Sequence, residues 1–227
     1  VSNSGFSIGL LPEPNLTYIP ATWDKFQRSR FFLFYRTRTS PSFYNSTVYR
    51  HAPLLINATQ LPHSSSVGTD LPPDEWHNQF VDSKFCLAIR GDTPHTHALL
   101  RAVKVGCIPV VISDWYNVYA PTFVHTLPDI ADFSVVMEES AFLKNPAQEL
   151  KKRLMNLTQD EIQEKLDALA FAQKVVAWDH PQSLFVEAFL QEAVQSFRDK
   201  DNDDPNPFNY FSPSTVIYKT GKHSRPW

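Results

Sequence analysis

Apolar residues in this chain fall into two spacings, short unbroken runs and stripes three and four apart, and the two alternate from about residue 31 to residue 197. Unbroken runs stand at Phe31–Tyr35 and Phe85–Ile89, and Cys107–Ser113 is again apolar and β-branched. Runs of that length bounded by turn residues suit strands buried on both faces. Asp132–Val136 is a further strand candidate and Leu54–Ile56 a short one. Helical stripes are carried by Trp76 and Phe80, by Leu99, Leu100 and Val103, and by Leu150 and Leu154. Two longer ones follow, Ile162, Leu166, Leu169 and Val176, then Leu184, Phe185, Ala188 and Phe189.

Local signals set the expected helix ends. Asp74 is an N-cap candidate for a helix over 73–80, and Asn145-Pro146 opens one that runs to Met155. Thr93 has the chemistry of an N-cap, Pro94 that of a first helical residue, and Gly106 sits where a left-handed C-terminal cap is wanted. Thr158-x-x-Glu161 is a capping box, with Leu157 and Ile162 as its hydrophobic staple, for a helix reaching about Trp178. Pro181 starts the last helix. Strands alternating with helices predict the α/β class: a Rossmann-like three-layer domain with a mostly parallel sheet. The expected organisation is an extended leading segment over 1–30, one domain over 31–197 and a charged flexible tail over 198–227. Residues 37–72, rich in Ser, Thr, Pro and His, read as a long surface connection.

Composition narrows the partners. A chain of 227 residues with 42% hydrophobic residues and 17 Phe can bury a sizeable core. A net charge of −3 gives no electrostatic reason to expect nucleic acid or an anionic membrane. No apolar run approaches a membrane span, and Val1 opens no signal peptide. Only 6 Gly stand against 18 Pro, so Gly91 and Gly106 are expected to hold positions that need them. The two cysteines, Cys86 and Cys107, lie in apolar strands and read as buried thiols, with pairing open if the strands are neighbours. Sequons occur at Asn15, Asn45, Asn57 and Asn156. His95-x-His97, with His77 upstream, lacks the spacing of a ligand set, and the Asp-x-Asp pairs of the tail reflect its composition, so no metal is expected.

The chemistry concentrates between Ser83 and Asp114, a strand, tight loop, helix and strand. The helix would begin at the carboxyl end of a strand, where N–H groups and the helix dipole favour an anion. No G-x-G-x-x-G is present, which argues against a nicotinamide enzyme. Phe85-Cys-Leu-Ala-Ile-Arg-Gly-Asp-Thr-Pro94 followed by Gly106-Cys-Ile-Pro-Val-Val-Ile-Ser-Asp114 resembles the nucleotide-sugar half of the exostosin-like glycosyltransferases, glycosyltransferase family 47. The likeness extends more weakly from about Phe31 to about Ala193. It implies the C-terminal, donor-binding domain of a two-domain GT-B enzyme of the Golgi lumen and secretory pathway. The membrane anchor and acceptor domain usual in the family would lie outside this chain.

By that resemblance, a nucleotide sugar, most often a UDP-sugar, is bound near Arg36, Arg90, Gly91, Asp92, Thr93, Thr96 and Arg101. The sugar passes to a glycan acceptor with inversion, without a metal or other cofactor; the general base is expected from the acceptor domain and no catalytic residue is assigned. Two positions depart from the family pattern. Ala98 stands where an arginine for the diphosphate is usual, and Arg101 where a carboxylate for the ribose is usual. Arg36 keeps its family arginine, but Thr37 replaces the accompanying glycine. Arg101 either takes over the charge lost at Ala98 or is a solvated helix residue. The resemblance therefore leaves two readings: a transferase domain, and a non-catalytic module of the same fold that binds a partner or glycan.

Overall fold

The computed structural model describes residues 16–36, 60–62, 64–68, 71–91, 96–116, 123 and 125–198. In chain order these form α1 (Trp23–Arg28), β1 (Phe31–Arg36), β2 (Ser66–Gly68), α2 (Pro73–Val81), β3 (Ser83–Ile89), α3 (His97–Lys104), β4 (Ile108–Ile112), α4 (Ile130–Phe133), β5 (Val135–Met137), α5 (Glu139–Lys144), α6 (Pro146–Met155), α7 (Gln159–Val176) and α8 (Phe185–Arg198). The strands make one sheet in the order β2-β1-β3-β4-β5, and every neighbouring pair is parallel. This is the expected α/β Rossmann-like fold. The central strand β4 is apolar throughout because helices cover both faces of the sheet, so no position along it needs to be polar.

Register assigns each face its partners. Phe34 lies opposite Cys86, and on that face Phe34 meets the rings of Trp76 and Phe80 of α2 at 5.6 and 5.2 Å. Trp76 and Phe80 stack at 4.9 Å, as their spacing predicts. Ala102 and Val105, in and just after α3, complete this layer with Cys107. On the opposite face Phe85 takes Phe26 of α1 edge-on at 5.6 Å. Helix α7 packs across α3 and α4, and its Lys165 Nζ donates to the carbonyls of Ala131 and Ser134 at 2.8 Å each.

Cys86 and Cys107 are not free thiols: they form a disulfide, with their Cα atoms 5.9 Å apart. Residues directly opposite in adjacent strands rarely suit such a bond, but these two are not directly opposite. The register partner of Cys86 is Pro109, so Cys107 sits diagonally, in the turn just before β4. That turn is set by Gly106, whose φ of +62° is left-handed; a Cβ there would lie 2.8 Å from the carbonyl oxygen of Ile19.

Several boundaries differ from the sequence reading. The leading segment is not wholly extended: Thr22 caps α1 by accepting from the Lys25 N–H, and Leu16, Ala21 and Phe26 are buried. Asp74 is inside the first turn of α2, Pro72 taking the cap position and Pro73 the first helical one. Residues 132–133 finish α4, so β5 starts only at Val135. Helix α7 keeps its capping box but stops at Val176, and α8 begins at Phe185, after a turn containing Pro181. The strand expected at 54–56 and the tail from 199 lie outside the described residues.

Lys25 fastens α1 to the sheet through its Nζ, which donates to the Ser83 carbonyl at 2.7 Å. Burial pulls the amine from its ordinary 10.5 down to about 8, against the opposing pull of Asp82. The unfolded chain then holds this proton more tightly than the folded one, so stability rises as pH climbs from about 8 towards 10.5. The rise between pH 7.5 and 9.5 is expected to be on the order of 2 kcal/mol. In Lys25→Met it should shrink to the smaller rise from Lys165, whose amine burial also lowers. Urea midpoints at the two pH values measure it; an equal rise in both proteins would sink the assignment.

Candidate functional site

The order β2-β1-β3 reverses the direction in which strands are added: β2 lies on one side of β1, and every later strand on the other. Doubly wound folds bind ligands at such a reversal, above the carboxyl ends of the two strands that flank it, here β1 and β3. β1 ends in Arg36; β3 ends at Ile89 and is followed by Arg90 and Gly91. The switch point thus falls where the sequence places its candidate residues.

Arg36 is held by the neighbouring strand. Its Nε donates to Ser66 Oγ at 3.0 Å, and the Ser66 hydroxyl in turn donates to Gln79 Oε1 on α2. Gly68, at a φ of +151°, makes room for the guanidinium: a Cβ there would lie 2.7 Å from Arg36 Nη1. Burial draws Arg36 below its ordinary range while Glu75 nearby pulls the other way; the guanidinium stays cationic. The glycine missing after Arg36 in sequence is therefore matched in space by one from β2.

Arg90 is engaged differently. Its Nε and Nη2 fork onto the two carboxylate oxygens of Glu139, the Nη2 bond measuring 2.9 Å. Glu139 opens α5, just after β5, and its Oε1 also accepts the Asp114 N–H at 3.1 Å. Asp114, just after β4, accepts the Glu139 N–H on Oδ1 at 2.9 Å. Carboxyl ends of three adjacent strands are thereby tied together. Trp115, next along, is 52% exposed at the same end of the sheet.

The helix at the site starts later than its sequence suggests. Thr96, not Thr93, is the N-cap of α3, its hydroxyl accepting the Ala98 N–H at 3.2 Å, and His97 rather than Pro94 opens the helix. Asp92 and Thr93 lie outside the described residues, as do Asn15, Asn45 and Asn57; Asn156 is exposed at the end of α6. Arg101 lies one turn into α3 with its guanidinium over the Trp76 ring at 5.8 Å, and Ala98 packs against the core. Among the described residues no group of three or more His, Cys, Asp or Glu is arranged to hold a metal ion. No helix among them is long and apolar enough to cross a membrane.

Sequence reasoning missed Ser66, Gly68, Gln79 and Glu139. The first two sit in a polar stretch with no apolar run, and Gln79 and Glu139 carry no local motif; only the tertiary pairing marks them. No curated protein matches the sequence significantly. The family model of the exostosin GT47 domain matches residues 14–154, well over half of the chain, from the segment before α1 to the last turn of α6. On that match, with the parallel sheet and the topological switch point it encloses, the chain belongs to the exostosin GT47 glycosyltransferase family.

Proposed function

We propose that the chain binds a nucleotide sugar, a UDP-sugar first among them, above the carboxyl ends of β1 and β3 and takes part in its transfer to a glycan acceptor. The observation that carries this reading is the coincidence of the topological switch point with Arg36 on one side and the Arg90-Gly91 turn on the other. The acceptor oxygen forms its bond to the anomeric carbon opposite the bond to the diphosphate, which breaks with both electrons leaving on phosphate; the sugar inverts. Arg36 and the backbone N–H groups at the start of α3 stabilise that leaving charge. Arg101, one turn along, adds a second cation. The acceptor's proton goes to a base that is assigned to no residue of this chain. A buried disulfide and the exposed sequon at Asn156 favour an oxidising, secretory compartment such as the Golgi lumen. Alkylation of both cysteines in protein isolated natively, without prior reduction, would count against it.

Calorimetric titration with UDP and a panel of nucleotide sugars tests the site. Saturable binding is expected, weakened roughly 10- to 100-fold by Arg36→Ala, the loss expected for a charge-assisted contact. One observation favours a second reading, a non-catalytic module: at the two positions where the family places donor contacts, Ala98 is core packing and Arg101 covers Trp76. Absence of binding by the unmodified chain, with binding gained by the Ala98→Arg, Arg101→Glu double variant, would establish that reading instead.

A further inference from the structure

The ring of contacts that joins Arg90, Asp114 and Glu139 carries an inference of its own, which rests on the donor-site reading above. The side chains of Arg90 and Glu139 are only 21% and 10% exposed, and their bond is forked, so it fixes direction as well as distance. The main chain at this point is fixed as well: the Arg90 N–H donates to the Ile112 carbonyl at 3.1 Å, extending the ladder one residue past β3. Arg90 Nη1 also approaches the Gly91 carbonyl at 3.4 Å. Both charges of Glu139's surroundings are thus used to set the path by which the chain leaves β3. A cation so closely matched to a carboxylate has little field left for a phosphate.

We propose that Glu139 is a positioning residue: acting through Arg90, it fixes the point at which the chain leaves β3, at the Gly91 edge of the proposed donor site, and Arg90 itself is a brace and not a ligand. A pairwise cycle separates these roles, using the full chain with Glu139→Gln, Arg90→Gln and both together, titrated with UDP and, as a control lacking phosphate, with uridine. Each single variant is expected to bind UDP roughly tenfold more weakly. The double variant should be no weaker than either single, because one brace is lost in all three, and uridine binding should not change. Losses that multiply in the double variant, equal losses for UDP and uridine, or undiminished UDP binding by Glu139→Gln would each overturn the proposal. Backbone amide exchange decides it without a ligand: in Glu139→Gln the Arg90 and Gly91 amides should exchange faster while β4 is unchanged, and an unaltered pattern overturns the brace. If the unmodified chain takes up no UDP, the donor-site reading falls and the exchange result alone judges the brace.

Discussion

Replacing Cys86 and Cys107 together by alanine is expected to cost about 3 kcal/mol of stability, read as a lower urea midpoint with an unchanged signature of secondary structure. The bond closes a loop between residues 21 apart, and chain-entropy reasoning gives about that figure for such a loop. Both sulfurs are buried, at 1% and 0% exposure for their residues, against Phe34, Phe80, Ala102 and Val105. Alanine leaves no polar orphan there, so the cost should come mainly from the freed loop. That loop holds β3 from Cys86 to its end at Ile89, the connection after it and the whole of α3, which together carry one side of the candidate donor site. Reduction should therefore require denaturant, and chain made in a reducing cytosol should show the stability of the alanine variant. A double-alanine protein within about 1 kcal/mol of the unmodified one would mean that strand pairing alone holds the unit closed.

The second large loss is expected from Gln173→Leu. This amide is fully buried on α7 and ties two other segments to it. Its Oε1 accepts the Ala21 N–H at 2.9 Å, and its Nε2 donates to the carbonyls of Ile19 and Val103, both at 2.7 Å. Leucine fills similar space but leaves those backbone groups buried without the amide, at roughly 1–3 kcal/mol per orphaned group, so a total of about 3–5 kcal/mol is expected. For a domain of this size that is roughly a 10 °C fall in melting temperature. A fall of only 2–3 °C would show that the leading segment is held by packing and by the Ile19 N–H bond to Lys104.

Those two positions also mark how far the sequence could be read. Its apolar runs placed β1, β3 and β4, and its capping box placed the start of α7, because each depends on neighbours a few residues away. The turn of α3 was less legible: Thr93 and Thr96 both offer a capping hydroxyl, and a preference for proline at the first position pointed to the wrong one. Ser66–Gly68 was invisible because a three-residue edge strand has pairing on one side only and needs no apolar run. The disulfide was underestimated because strand adjacency was considered without the diagonal offset that Gly106 allows. At the site, Arg36 was found but not its seat, since Ser66, Gly68 and Gln79 reach it from 30 to 43 residues away in sequence. Glu139 reaches Arg90 across 49 residues, and no local pattern records such a pair.

Among the described residues, both outer strands of the sheet, β2 and β5, are only three residues long. A guest strand laid along either margin would find a ladder of at most three rungs, too short to hold an extended peptide by main-chain bonds alone. The sheet is in this sense sealed sideways. A protein or glycan chain that engages this domain is therefore expected over the strand tips or across the helices, and not as an added strand. At the tips it meets Arg36, Gly91 and Trp115, so whatever it brings is delivered to the residues proposed to hold the sugar donor.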